Sequence, residues 1–353
     1  MLNNNYILEF DLSHFYNKQK LVPIIAIHRD IKEYNKMPTI ANITFPNRYL
    51  NAAGCWCTTA NELIDLQTSE SGGIVSKSCT EKPRDGNVQP RLHLEDTLSI
   101  NSTGLANLGV NFYAAFGSAL MAVPKTTKKP YIVSVAGVEH GENVRIVQTL
   151  REPEYACGID LIELNLSCPN VAGKPQVGYD FEATRDVLRL VFESDDGYGP
   201  PLGVKLPPYF DQSHFKHIAE VLSDFTGKGA GGVGSSGHGL SFATCINSLG
   251  NGMVYTHQAD KGDNAYQTAI APNRGFGGVG GSVIKPFGLS NVAALHAELP
   301  HLPLIGCGGI ASSSDADEYA HAGASLMQIG TALMKEGVGV FERLKKEEAI
   351  LMS

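Results

Sequence analysis

Cys168, Lys77 and Lys205 are the residues of this chain whose type and setting best suit catalysis. Cys168 stands in the run NLSCPN and is followed by Pro169, so the extended segment before it must stop and turn there. A buried cysteine is usually an inert small hydrophobe. The polar company of Asn165, Ser167 and Asn170 argues here for a reactive thiol. Lys77 and Lys205 each follow a β-rich run. A lysine buried at such a strand end is costly unless it meets an anion or an electron-rich ring; the plainer alternative is a side chain that snorkels to water. Two further sites, Gly308-Gly309 and Gly330-Thr331, would let backbone amides approach a ligand beside helix N-termini, which favours an anion. Either pair alone would serve equally as a tight turn.

Composition narrows the classes. Of 353 residues, 43% are hydrophobic and 18% charged, a globular balance with enough apolar mass for a large core. The formal net charge is -8 with no long basic run, so no nucleic-acid partner is expected. The seven cysteines (Cys55, Cys57, Cys79, Cys157, Cys168, Cys245 and Cys307) are odd in number and include no CxxC pair. That disfavours a disulfide framework and a zinc or iron–sulfur site, and reads as reduced thiols in a cytoplasmic protein with no metal. The apolar stretch at residues 21–27 is interrupted by Pro23 and is far too short to span a bilayer. Residues 1–38 read as an N-terminal extension, either a tail or sequence upstream of a start at Met37, and 39–353 as the folded domain.

Positioning these residues requires a repeated architecture. Short β-rich runs at 49–53, 73–78, 131–137, 161–167, 203–207, 242–248, 304–310 and 326–333 alternate with helical patterns. One helix would place Val187, Leu188, Val191 and Phe192 on a single face; another would do so with Phe215, Ile218, Ala219, Leu222 and Phe225. Eight strands with crossovers predict an α/β fold, a (β/α)8 TIM barrel, with a doubly wound open sheet as the fallback. The candidate residues fall at predicted strand C-termini, where barrels gather function, and the loops after strands seven and eight often hold phosphate. Residues 250–283 form a long insertion between strands six and seven, expected as a hairpin or lid over the barrel mouth. Residues 227–240 read as a flexible small-residue loop. GAGGVG (229–234) and GFGGVG (275–280) match GxGxxG but lack the strand-then-helix setting of a dinucleotide site.

Taken together, LNAAG (50–54), SKSCT (76–80), SINSTGLANLG (99–109), ELNLSCPNVAGKPQVGYDFEATR (163–185), GVKLPPYFD (203–211), CINSLGNG (245–252), GFGGVGG (275–281) and IGTALMKEG (329–337) resemble the family 1A dihydroorotate dehydrogenases. The resemblance runs in order from about residue 39 almost to the end. It implies an FMN-dependent oxidoreductase of pyrimidine biosynthesis that oxidises dihydroorotate to orotate and reduces fumarate to succinate. FMN would be held by Ala52, Ala53, Gly54, Lys77, Ser78, Asn165, Lys205, Gly280, Gly281, Gly308, Gly309, Gly330 and Thr331. Substrate would be held by Lys77, Asn101, Gly104, Leu105, Asn170, Asn247 and Ser248, with Cys168 as the catalytic base that removes the C5 proton while the C6 hydride passes to the flavin. The resemblance also implies a homodimer. Two other readings share these residues: a flavin-binding barrel with impaired turnover, and an NAD-linked dihydroorotate dehydrogenase. Thr103 stands where the family usually has methionine, and Ala271-Pro272-Asn273 where it usually has KPK.

Overall fold

The computed structural model describes residues 37–167, 176–194, 198–226, 239–258 and 265–351. Eight parallel strands lie where the sequence predicts them: β1 (Tyr49–Asn51), β2 (Ile74–Val75), β3 (Tyr131–Val135), β4 (Leu161–Asn165), β5 (Leu202–Leu206), β6 (Ala243–Cys245), β7 (Leu304–Cys307) and β8 (Ala324–Ile329). They hydrogen-bond in the order β1-β8-β7-β6-β5-β4-β3-β2, and a parallel bridge between Leu50 and Gly73 closes the sheet into a barrel. The seam between β1 and β2 has little backbone ladder, because β2 is only two residues long. A side chain completes it: Asn51 donates from Nδ2 to the Val75 carbonyl (2.7 Å) and accepts at Oδ1 from the Val75 amide (2.8 Å). The last predicted run was drawn too long. The chain leaves the sheet at Ile329 and turns at Gly330 into the helix Thr331–Glu336.

Strand periodicity decides which residues face the barrel interior. Leu50, Val75, Ile132, Leu161, Phe242, Ile305 and Leu326 form one buried cluster inside the lower barrel, plugged by Ile40 and Phe45. Those two come from and follow an N-terminal hairpin of Thr39–Ile40 with Ile43–Thr44. Gly203 of β5 makes room there, since a Cβ at that position would lie 2.4 Å from the Phe242 ring. Alternate residues such as Val133, Leu164, Val204 and Met327 face outward into a second cluster that includes the helix residues. The helix Phe181–Glu193 buries Val187, Leu188, Val191 and Phe192 as expected. The helix Gln212–Ser223 buries Phe215, Ile218, Ala219 and Leu222, and Phe225 is buried just beyond its end.

One step further along the strands the interior changes character. Glu163, Lys205, Thr244 and Gln328 are all buried, where a barrel layer is usually apolar. Above them sits a second, antiparallel sheet of four strands in the order Leu249–Gly252, Gly277–Gly280, Ser99–Asn101, Leu92–Leu94. The insertion between β6 and β7 supplies two of its strands and a separate hairpin of Tyr255–His257 with Tyr266–Thr268. The other two come from the segment between β2 and β3, which the sequence pattern did not mark as part of a lid. Asn273, within the departure at 271–273, donates from Nδ2 to Ser102 Oγ (3.1 Å) and so ties the two excursions together. Among the described residues no helix is long and apolar enough to cross a membrane.

Candidate active site

A cavity of about 360 Å3 opens between the C-terminal ends of the barrel strands and the antiparallel sheet. Of the residues expected at a site, it is lined by Ala52, Ala53, Gly54, Lys77, Ser78, Asn101, Leu105, Asn165, Lys205, Asn247, Ser248, Gly280, Gly281, Gly308, Gly309, Gly330 and Thr331. Nine separated segments thus converge on one space. Gly104 does not line it: a Cβ there would lie 2.5 Å from Asn87 Oδ1, so this glycine serves the close packing of its loop. Cys168 and Asn170 lie outside the described residues, as does the GxGxxG match at 229–234. The second match, at 275–280, supplies the lid strand Gly277–Gly280.

Side chains form the floor. Asn165 at the end of β4 donates from Nδ2 to Ser78 Oγ (3.2 Å), which shares a hydrogen bond with the buried Ser134 Oγ (2.9 Å). Asn165 Oδ1 accepts from the amide and hydroxyl of Ser167 (3.0 and 3.1 Å) and from Asn247 Nδ2 (3.3 Å). Asn247 also donates to the Ser167 carbonyl (3.2 Å) and accepts from the Ser248 amide (2.8 Å). With these partners neither amide is free to rotate, so the floor is preorganised. The same bonds anchor the peptide that leads directly into Cys168.

The two lysines differ. Lys205 is 3% exposed and donates from Nζ to Gln328 Oε1 (2.7 Å). Burial by itself would lower its pKa; Cys307, Glu163 and Cys55 face it and, where they carry negative charge, take it above the ordinary lysine value, and of the three only Glu163 is not a buried thiol. Lys77 is 8% exposed, and its side-chain Nζ makes no hydrogen bond or ion pair to another described residue. Its Nζ rests against Gly54, where a Cβ would come within 3.1 Å. Two cysteines also line the cavity. Burial pushes the Cys55 thiol up to about 12, and burial raises Cys307 as well, so neither is a ready thiolate near neutral pH.

Backbone forms the opposite end. Gly281, Gly308 and Gly309 adopt φ of 93°, 127° and 72°, the region that favours glycine. A Cβ on Gly309 would lie 2.8 Å from the Lys285 amide nitrogen, and one on Gly280 would lie 2.7 Å from Ser99 Oγ. Ser99 Oγ and Thr331 Oγ1 hydrogen-bond at 2.8 Å, joining the lid sheet to the turn after β8. A Cβ on Gly330 would instead meet nothing closer than 3.8 Å, so that glycine borders open space.

The structure adds residues that the sequence reading did not single out as site members: Ser99, Ser134, Glu163, Thr244 and Gln328. The first was hidden in a segment with no β-rich run long enough to notice. The last three had a signal, a polar residue inside an apolar strand run (LIELN, FATC, LMQIG), which could have been followed.

A closed parallel barrel with polar side chains and a glycine-rich turn at its C-terminal mouth defines a barrel enzyme with an anion-accepting cofactor or substrate site. The dihydroorotate dehydrogenase family model matches residues 37–352. The dihydroorotate dehydrogenase (fumarate) of Trypanosoma cruzi is 44% identical over 309 residues, covering 88% of this chain and 90% of that protein. Dihydroorotate dehydrogenase A (fumarate) of Lactococcus lactis subsp. lactis is 41% identical over 310 residues, covering 88% and 91%. A crystal structure of the Eimeria tenella dihydroorotate dehydrogenase in complex with ferulenol superposes with a TM-score of 0.68 at 18% identity, covering 90% of this chain and 84% of that one, which speaks to the fold. The chain belongs to the dihydroorotate dehydrogenase family, a family of flavin-dependent oxidoreductases.

Proposed function

We propose that this chain oxidises dihydroorotate to orotate at the barrel mouth with FMN as its cofactor, and uses fumarate as the electron acceptor, forming succinate. The reading rests on one observation above the others: a single cavity collects Lys77, Lys205, Asn101, Asn165 and Asn247 at one end and Gly280, Gly281, Gly308, Gly309 and Gly330 at the other. The acceptor is inferred from the relatives, which carry fumarate in their names.

FMN fits these residues by its chemistry. Its phosphate suits the backbone amides of Gly309, Gly330 and Thr331, where Gly330 leaves space that a larger side chain would fill. Its ring system, which gains negative charge on reduction, suits the Lys205 ammonium, which donates to the neutral amide of Gln328. Ala52, Ala53, Gly54, Ser78 and Asn165 would complete its holding. When bound, FMN would supply acceptance of the hydride from C6 of dihydroorotate and its later return to fumarate.

The chain's own residues do the rest. Lys77, whose ammonium makes no hydrogen bond or ion pair to a described residue, would hold the substrate carboxylate, aided by Asn101, Leu105, Asn170, Asn247 and Ser248. Cys168 as the thiolate would take the C5 proton, the role its place after the anchored Leu166-Ser167 segment supports. The high pKa values of Cys55 and Cys307 leave them poor substitutes. The domain is taken as residues 39–353, the working unit as a homodimer, and the location as the cytoplasm. Tyr255 and Tyr266, 60% and 63% exposed on the outer hairpin, offer the aromatic surface that interfaces favour. Light scattering on the purified protein tests the dimer.

Mixing the FMN-loaded protein with dihydroorotate should bleach the flavin absorbance without oxygen, and fumarate should restore it. Bleaching that NAD or a quinone reverses, but fumarate does not, would overturn the acceptor; no bleaching would overturn the substrate.

A further inference from the structure

The polar layer inside the barrel has a direction. Glu163 on β4 is fully buried, and its Oε2 accepts from Thr244 Oγ1 of β6 (2.8 Å) and from Gln328 Nε2 of β8 (2.6 Å). Gln328 Oε1 in turn accepts from Lys205 Nζ of β5 (2.7 Å). No direct ion pair joins Glu163 to Lys205. The orientation of the bridging amide is fixed by chemistry: a carboxylate can only accept and an ammonium can only donate, so the amide nitrogen must face Glu163 and its oxygen Lys205. Gln328 therefore transmits the carboxylate's polarity to the lysine, and polarised hydrogen bonds in such a chain strengthen one another. Glu163 Oε1 has no hydrogen-bond partner among the described residues, an uncompensated position that packing alone would not favour.

We propose that Glu163 is a positioning residue: acting through Gln328, its carboxylate keeps the Lys205 ammonium charged and aimed at the cofactor end of the cavity. The role rests on the flavin reading above for its purpose, but the wiring itself is a property of the protein alone. The groups facing Lys205 are Cys307 on β7, Glu163 on β4 and Cys55 and Cys57 beyond β1, with Lys77 lining the same cavity after β2. The three cysteines are held as neutral thiols by burial. Glu163 is then the one carboxylate among these groups and supplies the standing negative charge.

Glu163→Gln removes that charge while keeping the shape. Lys205 should then release its proton more readily in the folded protein than in the unfolded chain. Between those two pKa values the unfolded chain holds the extra proton, so the variant's stability should rise with pH relative to wild type. The melting temperature of flavin-free Glu163→Gln should fall below wild type at neutral pH, and the gap should narrow as pH is raised towards the ordinary lysine range. Adding Lys205→Met should remove the narrowing. In the FMN-loaded variant the flavin midpoint potential should drop across the same pH window, with a break that wild type lacks. Gln328→Met, which cuts the relay but leaves both charges, should show the same signs in weaker form. A constant melting gap with an unchanged potential profile would overturn the proposal and leave Glu163 a packing residue. Because the melting arm needs no flavin, its outcome is separate from that of the functional reading, which fails if dihydroorotate does not reduce the loaded protein.

Discussion

Where the cavity meets β2, β4, β5 and β6, it is lined by functional side chains: Lys77, Asn165, Lys205 and Asn247. Where it meets β7, β8 and the lid strand Gly277–Gly280, it is lined by backbone, through glycines whose lack of a side chain is their contribution. The two ends of one cavity are thus specified in different currencies. A side-chain end fails chemically when its functional group is removed and leaves the fold nearly intact. A backbone end fails sterically when a group is added, and the fold suffers according to how closely the neighbours press.

Substitutions can break or sharpen this contrast. Cys168→Ala should have the largest effect, lowering the rate of flavin reduction by dihydroorotate about 10²–10⁴-fold, the range for losing a general base. FMN content should stay at wild-type level, and stopped-flow absorbance reads both. Retained bleaching would put the base elsewhere. Gly309→Val should cost about 2–3 kcal/mol of stability, because the residue has φ of 72° and the new Cβ would press on the Lys285 backbone. Urea titration of the flavin-free protein measures this, and an unchanged midpoint would mean that the turn adapts freely.

Asn247→Ala should be milder. It removes donors to Asn165 and Ser167, loosening the floor, and should weaken dihydroorotate binding about tenfold, equivalent to about 1.4 kcal/mol. Flavin content should hold; its loss, and not a rise in KM, would show that the floor serves the cofactor more than the substrate. Gly330→Ala should be the smallest and the most telling. Its Cβ meets nothing closer than 3.8 Å, so flavin-free stability should change by less than about 0.5 kcal/mol. FMN affinity, followed by fluorescence quenching on titration, should still fall about threefold to tenfold, on the order of 1 kcal/mol. Equal affinity would argue that the phosphate lies elsewhere.

How much of this was legible depends on the range of the interactions. The eight strands could be read because each is a local run of apolar residues with polar or glycine residues at its C-terminus, as in LIELN leading to Asn165 or LIGC leading to Gly308. The barrel rule then placed Lys77, Lys205, Asn165 and Asn247 at one mouth without knowledge of any contact. The lid was legible only in part: the insertion at 250–283 was expected over the mouth, but the four strands of the lid sheet were not. Leu92–Leu94 and Ser99–Asn101 are three-residue strands, and Gly277–Gly280, which pairs with the second of them, is mostly glycine, so neither alternation nor β-propensity marks them. The sheet exists because Ser99–Asn101 pairs with Gly277–Gly280 across more than 170 residues of chain.

Chain order and residue type by themselves determined the barrel, the choice of end for the cavity, and that Lys77, Lys205, Asn165 and Asn247 are brought to it. Only the tertiary structure decided that Glu163, Gln328 and Lys205 share one hydrogen-bonded path, that Cys55 and Cys307 are neutral thiols, and that Gly104 faces Asn87 instead of the cavity. The reason is that side-chain period and strand propensity act between neighbours, whereas a buried charge or thiol takes its properties from groups that closure of the barrel brings together from distant strands.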